Sequence, residues 1–372
     1  MNSAAPAGRP RIGTLPTGEH DAITDVPGVL VGHSTLIHGE GDLRPGHGPV
    51  RTGVTVIRPH EASAAAEPVF AGYHVLNGNG EVTGLSWMSE SGLLSSPIGL
   101  TNTHSVGLVR DTLARLQARS EGSRGDEWYL PVVGETWDGV LNDINGAHVQ
   151  PEHVEQALAE ASAGPVPMGN VGGGTGMICH GFKGGIGSAS RIATTDAGAF
   201  TVGVLVQANH GRRDRLQIDG VPVGRIVTSD VVPLPGPGPV TPGAGSIIAV
   251  VATDAPLLPH QCRRLAQRVA LGVARTGGAG EHSSGDVFLA FSTGSRGVPP
   301  DGNDHPAAPR FSVSVLHNAQ LTALFYAVIE ATEQAIVHAL LAARTMVGRD
   351  GNTAHELGAA HLPHLPRDRE IS

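Results

Sequence analysis

The chain has 372 residues, of which 40% are hydrophobic and only 3% aromatic, with 52 glycines, 27 prolines and a net charge of −9. That length allows one large layered unit or two domains, with a core resting on Val, Ile, Leu and Ala. The acidic balance and the lack of any Lys/Arg run exclude a nucleic-acid backbone as partner, and glycine without a fixed period excludes a fibre.

The first twenty residues have no basic start followed by an apolar stretch, and read as an untethered arm. No apolar run reaches the ~18 residues of a membrane span, so a cytoplasmic protein without a membrane partner is expected. Gly28–His33, Gly53–Arg58 and Pro68–Tyr73 are short β-branched runs bounded by Gly and Pro, and predict strands. A turn follows at Asn77-Gly-Asn-Gly80, then a further strand over Thr83–Trp87. His104–Gln117 changes to helical spacing, with Val106, Val109, Leu113 and Leu116 on one stripe. Leu130–Val133 predicts a strand that ends in the turn Gly134-Glu-Thr-Trp-Asp-Gly139. Pro151–Ala163 predicts an amphipathic helix with Pro151 in its first turn.

A glycine cluster occupies Asn170–Gly187. Phe200–Gln207 is a fully apolar strand ending at Ala208-Asn209-His-Gly211. Residues 228–245 then hold five prolines and four glycines. Such a segment builds neither helix nor interior strand and reads as an extended linker. It stops at Ser246, where the buried-strand run Ile247–Ala252 begins. Pro256–Ala274 predicts a helix, Val287–Ser292 and Phe311–Leu316 predict strands, and Asn318–Met346 predicts a long helix. Residues 350–372 read as a tail. Blocks of strands and helices, many strands fully apolar, fit α/β or α+β layering around two sheets.

Four places offer chemistry. At Gly245-Ser246 a linker feeds a hydroxyl into the first position of a strand. Gly245 leaves its carbonyl open to attack. Cleavage there would expose an α-amine with a reference pKa of ~7.7–8.0, suited to a general base. The same dipeptide also serves as an ordinary loop-to-strand junction. Ser284 and Asp286 flank a glycine, as a hydroxyl–carboxylate pair or as a polar turn. Asn209 sits at a strand end, where its amide could serve an oxyanion hole or merely form a turn. Glu135 could bind a substrate amine and Trp137 could wall a pocket; otherwise both are solvated turn residues.

Other motifs fail. Gly172–Gly176 has neither a dinucleotide frame nor a following Gly-Lys-Ser/Thr. His355, Glu356 and His361 have the wrong spacing for a zinc helix. No Gly-x-Ser-x-Gly elbow is present. Cys179 and Cys262 sit in no metal-binding spacing and read as reduced, buried residues. No metal or cofactor is expected.

Several longer stretches carry a resemblance. They include Leu76-Asn-Gly-Asn-Gly-Glu, Thr101-Asn-Thr-His-Ser-Val-Gly, Glu135-Thr-Trp-Asp-Gly, Gly169-Asn-Val-Gly-Gly-Gly-Thr-Gly-Met, Val206-Gln-Ala-Asn-His-Gly, Gly245-Ser-Ile-Ile and Ser284-Gly-Asp. With them the chain resembles the DmpA-type aminopeptidases, which include L-aminopeptidase/D-esterases and β-peptidyl aminopeptidases. The resemblance covers roughly residues 20–345. It implies an αββα four-layer sandwich of the α+β class, similar to the N-terminal-nucleophile hydrolases with different connectivity. It implies cleavage into chains 1–245 and 246–372 that stay together as one domain, in a homo-oligomer of processed protomers. By the same resemblance Ser246 is the nucleophile, Ser284 and Asp286 its supporting pair, Asn209 an oxyanion donor and Glu135 a ligand for the substrate amine. Asp286 stands where some members carry Glu, and Trp137 where some carry Tyr. The implied substrate is a short peptide, amide or ester with a free amine. Two alternatives stay open: an acyltransferase on a similar self-cleaving fold, and an uncleaved metabolite-binding protein.

Overall fold

The computed structural model describes residues 10–120, 128–236, 245–300, 310–358 and 361. In chain order come β1 (Leu30–His38), β2 (Val50–Arg58), β3 (Val69–Gly78), α1 (Leu85–Ser91), β4 (Leu93–Leu94), β5 (Ile98–Asn102), α2 (Val106–Ser120), β6 (Val132–Thr136) and α3 (Pro151–Ala159). The small pair β7 (Ile178–Cys179) and β8 (Phe182–Lys183) precedes β9 (Gly185–Thr195), β10 (Gly198–Asn209) and α4 (Val223–Ile226). Then follow β11 (Gly245–Thr253), α5 (Pro259–Arg275), β12 (Ser284–Ser292), α6 (Leu321–Ala342) and a last pair, β13 (Met346–Val347) and β14 (Thr353–Ala354).

Two sheets hold the molecule together. One has the order β1-β2-β5-β6 and the other β4-β3-β12-β11-β10-β9. Alternation along the strands sends side chains to both faces, and both faces here are apolar, so each sheet must be covered twice. Val31, Ile57, Ile98 and Leu100 of the first sheet meet Leu205, Ile248, Val250 and Leu289 of the second in a shared core. On the outer face of the second sheet, Val204, Val206, Ile247 and Ala249 pack on Leu265 and Val269 of α5 and on Val328 and Ile336 of α6. On the outer face of the first, Val54, Val56 and Val133 pack on Val109 and Leu113 of α2 and Val154 of α3. The layering is therefore αββα, as the resemblance implies. The helical span Asn318–Ala342 has the length and mean hydropathy of a membrane span although charged and polar residues interrupt its apolar run, and 72% of its most apolar window is buried inside the fold.

Other differences have local causes. Thr83–Trp87 is no strand: Gly84 and Gly92, both at positive φ, open and close the helix α1. The strand expected at Leu130–Val133 runs instead over Val132–Thr136, so Glu135 lies in β6 and not in a turn. The glycine- and serine-rich run Gly185–Thr195 is a full strand, because α6 lies directly on it; a Cβ on Gly187 would strike the Ala335 carbonyl. Phe311–Leu316 stays outside the sheets, tied by the Leu316 N–H to the Pro256 carbonyl at 2.8 Å.

Neither end behaves wholly as an arm. Ile12 is fully buried, its N–H donates to Gln334 Oε1 at 2.8 Å, and its carbonyl accepts from Arg191 at 2.6 Å. Beyond α6, β13 pairs with β14, and Leu357 is buried in the core. Of the linker, residues 237–244 lie outside the described residues, as do 359–360 and 362–372 of the tail. The described part, 228–236, is clamped: Arg213 Nη1 donates to the Val232 carbonyl at 2.7 Å. Cys179 and Cys262 are free and buried, as expected.

Candidate active site

Strand register gathers the residues that the sequence scatters. β10 and β11 pair antiparallel with Asn209 opposite Ser246. β11 and β12 pair parallel with Gly245 opposite Ser284, Ser246 opposite Gly285 and Ile247 opposite Asp286. Paired residues share a face of a sheet, so Ser246 lies on the face of Ile248 and Val250, between the two sheets. It is 5% exposed, and its Oγ accepts a hydrogen bond from the Gly285 N–H at 3.1 Å.

Two glycines make this junction fit. A Cβ on Gly245 would run into the Asn209 carbonyl, and one on Gly285 would lie 2.6 Å from the Asn79 carbonyl oxygen. Backbone is stiff, so neither position accepts a side chain without moving a strand. Gly285 has no role in the sequence reading; the only signal for it is its place inside Ser284-Gly-Asp.

Ser284 and Asp286 alternate away from Ser246 onto the neighbouring face. The Ser284 hydroxyl donates to Asp286 Oδ1 at 2.5 Å. Burial pushes the Asp286 carboxyl up to about 6, while hydrogen bonds from Ser284 and the Ile247 N–H pull against that rise. The carboxylate thus lies against the backbone just after Ser246, and the pair is formed although its hydroxyl is spent on Asp286.

The Asn209 side chain is fixed at both ends. Its Oδ1 accepts from the Ile178 N–H at 2.7 Å, and its Nδ2 donates to the Trp137 carbonyl at 2.9 Å. A donor faces one end and an acceptor the other, so the amide has a single orientation. One of the two Nδ2 protons remains for a further acceptor. Trp137 contributes through its carbonyl, and the residue as a whole is 43% exposed. The chain leading into β7 and Ile178 is held by buried Lys183, whose Nζ donates to the carbonyls of Met177 and Gly184, each at 2.8 Å, and of Gly174 at 3.3 Å. Burial lowers the Lys183 ammonium to about 7.

Glu135, at the end of β6, is buried; one carboxylate oxygen accepts from the Glu81 N–H at 2.9 Å and the other from the Thr103 hydroxyl. Burial raises its carboxyl above the usual range. A carboxylate has about four acceptor positions, so two stay free for an ammonium. Gly80 links the two halves of the site: a Cβ there would lie 3.0 Å from Gly285 Cα and 3.1 Å from Glu135 Oε1. The glycine cluster has a packing task. A Cβ on Gly173 would meet Gln207 Oε1, and one on Gly174 the backbone of Gly185 and Ile186. His355 and Glu356 follow β14 outside any helix, and the Glu356 carboxylate accepts from the Thr345 N–H at 3.1 Å.

The model of peptidase family S58 matches residues 21–354. The chain is 48% identical over 353 residues to the β-peptidyl aminopeptidase BapA of Sphingosinicella microcystinivorans, covering 93% of this chain and 87% of that one. Among solved structures, a β-aminopeptidase of Burkholderia sp. superposes with a TM-score of 0.87 at 52% identity, covering 95% of each chain. The L-aminopeptidase D-Ala-esterase/amidase of Ochrobactrum anthropi superposes with a TM-score of 0.86 at 42% identity over 95% of each chain. It is described as a prototype for the serine aminopeptidases and a new variant among the Ntn hydrolase fold. The αββα layers described above are a fold of that kind.

Proposed function

This chain belongs to peptidase family S58 and is a hydrolase of the aminopeptidase kind, and from that premise we propose that it cuts its own backbone between Gly245 and Ser246 and then uses Ser246 as an N-terminal nucleophile. The observation that carries this reading is the register of β10, β11 and β12. It sets Ser246 at the head of a central strand, between Asn209 and a Gly285 N–H that already donates to Oγ.

In self-cleavage Ser246 Oγ attacks the Gly245 carbonyl carbon. The C–N bond breaks, the nitrogen takes the hydroxyl proton, and an ester remains. Water then hydrolyses that ester, leaving a carboxylate on Gly245 and a free hydroxyl and α-amine on Ser246. The α-amine next serves as the base that accepts the Oγ proton during attack on substrate. The free Nδ2 proton of Asn209 supports the oxyanion. The Asp286 carboxylate, near the new chain start, favours the ammonium that forms.

The substrate is a short peptide, amide or ester with a free amine, which Glu135 receives. The β-aminopeptidase relatives weight the reading towards β-aminoacyl residues. Denaturing intact mass of the wild type beside Ser246→Ala tests it. Fragments 1–245 and 246–372 in the wild type, with one full-length species in the variant, are expected. A single uncut and active chain in both overturns it.

A further inference from the structure

Behind Asn209 lies a cluster that this reaction does not use. Cys179 ends β7, His180 follows it, and His210 follows Asn209 at the end of β10. All three are buried, and one donor atom from each lies within 4.8 Å of the others. Cys179 Sγ is 3.8 Å from His210 Nδ1, and the two imidazoles meet edge to face at 5.1 Å between centroids.

A hydrogen bond identifies the free lone pair of His180. His180 Nδ1 lies 3.0 Å from the Arg212 carbonyl oxygen. A carbonyl only accepts, so Nδ1 carries the proton and Nε2 keeps a bare lone pair. Among the described residues, both His180 Nε2 and His210 Nε2 are buried without a hydrogen-bond partner. Each buried orphan of this kind costs about 1–3 kcal/mol. Here two of them meet beside a thiol. A metal-binding imidazole characteristically donates its second ring N–H to a backbone carbonyl, as His180 does. Gly211, at positive φ, brings the chain onto the His180 ring, where a Cβ would collide with it.

The protonation states agree. Burial drives His180 down to about 4 and His210 well below the usual range, so both rings are neutral, the form that binds metal. Burial raises the Cys179 thiol to about 12, with the nearby Lys183 charge opposing. Metal binding therefore releases the thiol proton to solvent. Arg213 lowers the His180 value and Asp214 raises it, so neither charge stands unopposed.

We propose that Cys179, His180 and His210 form a Zn²⁺ site whose occupancy acts on Asn209. One sulfur and two nitrogens suit a borderline-soft d¹⁰ cation, with a fourth position for water. Zinc holds sulfur at ~2.3 Å and nitrogen at ~2.0–2.1 Å, so the three side chains must draw together. Cys179 adjoins Ile178, whose N–H fixes Asn209 Oδ1, and His210 adjoins Asn209 itself. Closing the cluster therefore displaces the Asn209 amide. The effect on turnover rests on the proposed role of Asn209; the binding does not.

The test uses untagged, full-length protein stripped of metal by a chelator, with Co²⁺ as a spectroscopic probe. Saturation at about one equivalent is expected, with a thiolate-to-cobalt absorption band that Zn²⁺ abolishes. Cys179→Ser should lose the band. Zn²⁺ should lower wild-type kcat about ten-fold, within the usual range of coupling between sites, and a chelator should restore it. If Cys179→Ser fails to fold, the wild-type spectrum still decides. Absence of saturable binding, or binding without the thiolate band, overturns the site. Binding with the band but with unchanged kcat overturns the coupling to Asn209 and leaves self-cleavage and nucleophile untouched.

Discussion

Ser246 and Gly285 face each other across the parallel pair β11–β12, and the Gly285 N–H donates to Ser246 Oγ at 3.1 Å. The bond holds the hydroxyl in one rotamer before any substrate arrives. It depends on a backbone position with no space beside it, since a Cβ on Gly285 would lie 2.6 Å from the Asn79 oxygen and 2.7 Å from Gly80 Cα. Gly285→Ala is therefore expected to shift β12 and leave uncut chain. Turnover should fall on the order of 10²-fold, the usual consequence of an ångström-scale misplacement. Intact mass and peptide-amide turnover check this, with a thermal melt to show that the variant folds. Full processing at wild-type turnover would remove Gly285 from the machinery.

Asn209→Asp separates anchoring from donation. The carboxylate can still accept from the Ile178 N–H, but it has no proton for the Trp137 carbonyl or for an oxyanion. A loss of about 10²–10³ in kcat is expected, as for removal of an oxyanion donor elsewhere. KM should move less, because the contact strengthens only as charge develops. An unchanged kcat in correctly processed Asn209→Asp would place the oxyanion donor elsewhere.

Part of this site can be read directly from the chain. Ser284 and Asp286 are two residues apart, so their hydrogen bond is local and the sequence shows both partners. Ser246 stands out because a Pro- and Gly-rich segment ends there. The neighbourhood of Asn209 and Ser246 is different. It exists only through the register of two strands separated by the linker, and nothing local encodes register. The fold divides in the same way. β2, β11 and β12 are legible because both their faces are buried and apolar, and α2 and α5 because their apolar stripe repeats at helical spacing. β9 escapes notice because the helix above it demands Gly, Ala and Ser where a strand usually shows branched residues. Thr103 and Gly80 likewise matter only once β6 brings Glu135 between them.

Glu135→Gln tests recognition of the substrate amine. Glutamine keeps an acceptor for the Glu81 N–H, and the Thr103 hydroxyl can turn to accept from the new amide. The fold should therefore survive while the negative charge is lost. A hydrogen bond to a charged group contributes about 1.5–3 kcal/mol, so kcat/KM for free-amine substrates should fall roughly 10- to 100-fold, mostly through KM. The wild type should leave N-acetylated substrates uncut. Comparable cleavage of blocked and free amides would sink this role.

The last prediction concerns pH and Asp286. Burial raises its carboxyl from 3.8 to about 6 in the folded chain. Between those values the folded state holds a proton that the unfolded state has released, so the contribution to stability is full below 3.8 and fades as pH rises through about 6. Activity has the opposite sense, because only the carboxylate favours an ammonium at the Ser246 chain start. kcat/KM should therefore drop as pH falls to about 6 and below, since the new ammonium draws the carboxyl down from its value in the uncut chain, while the Asp286 contribution to stability grows. Asp286→Asn should lower activity at every pH, remove the Asp286 component of the acidic limb while leaving that of the Ser246 α-amine, and flatten the corresponding part of the stability profile. A limb near 6 that persists in Asp286→Asn would assign the titration to another group. Peptide-amide kinetics and urea unfolding across the same buffers separate the two effects, since one loses and the other gains as the proton binds.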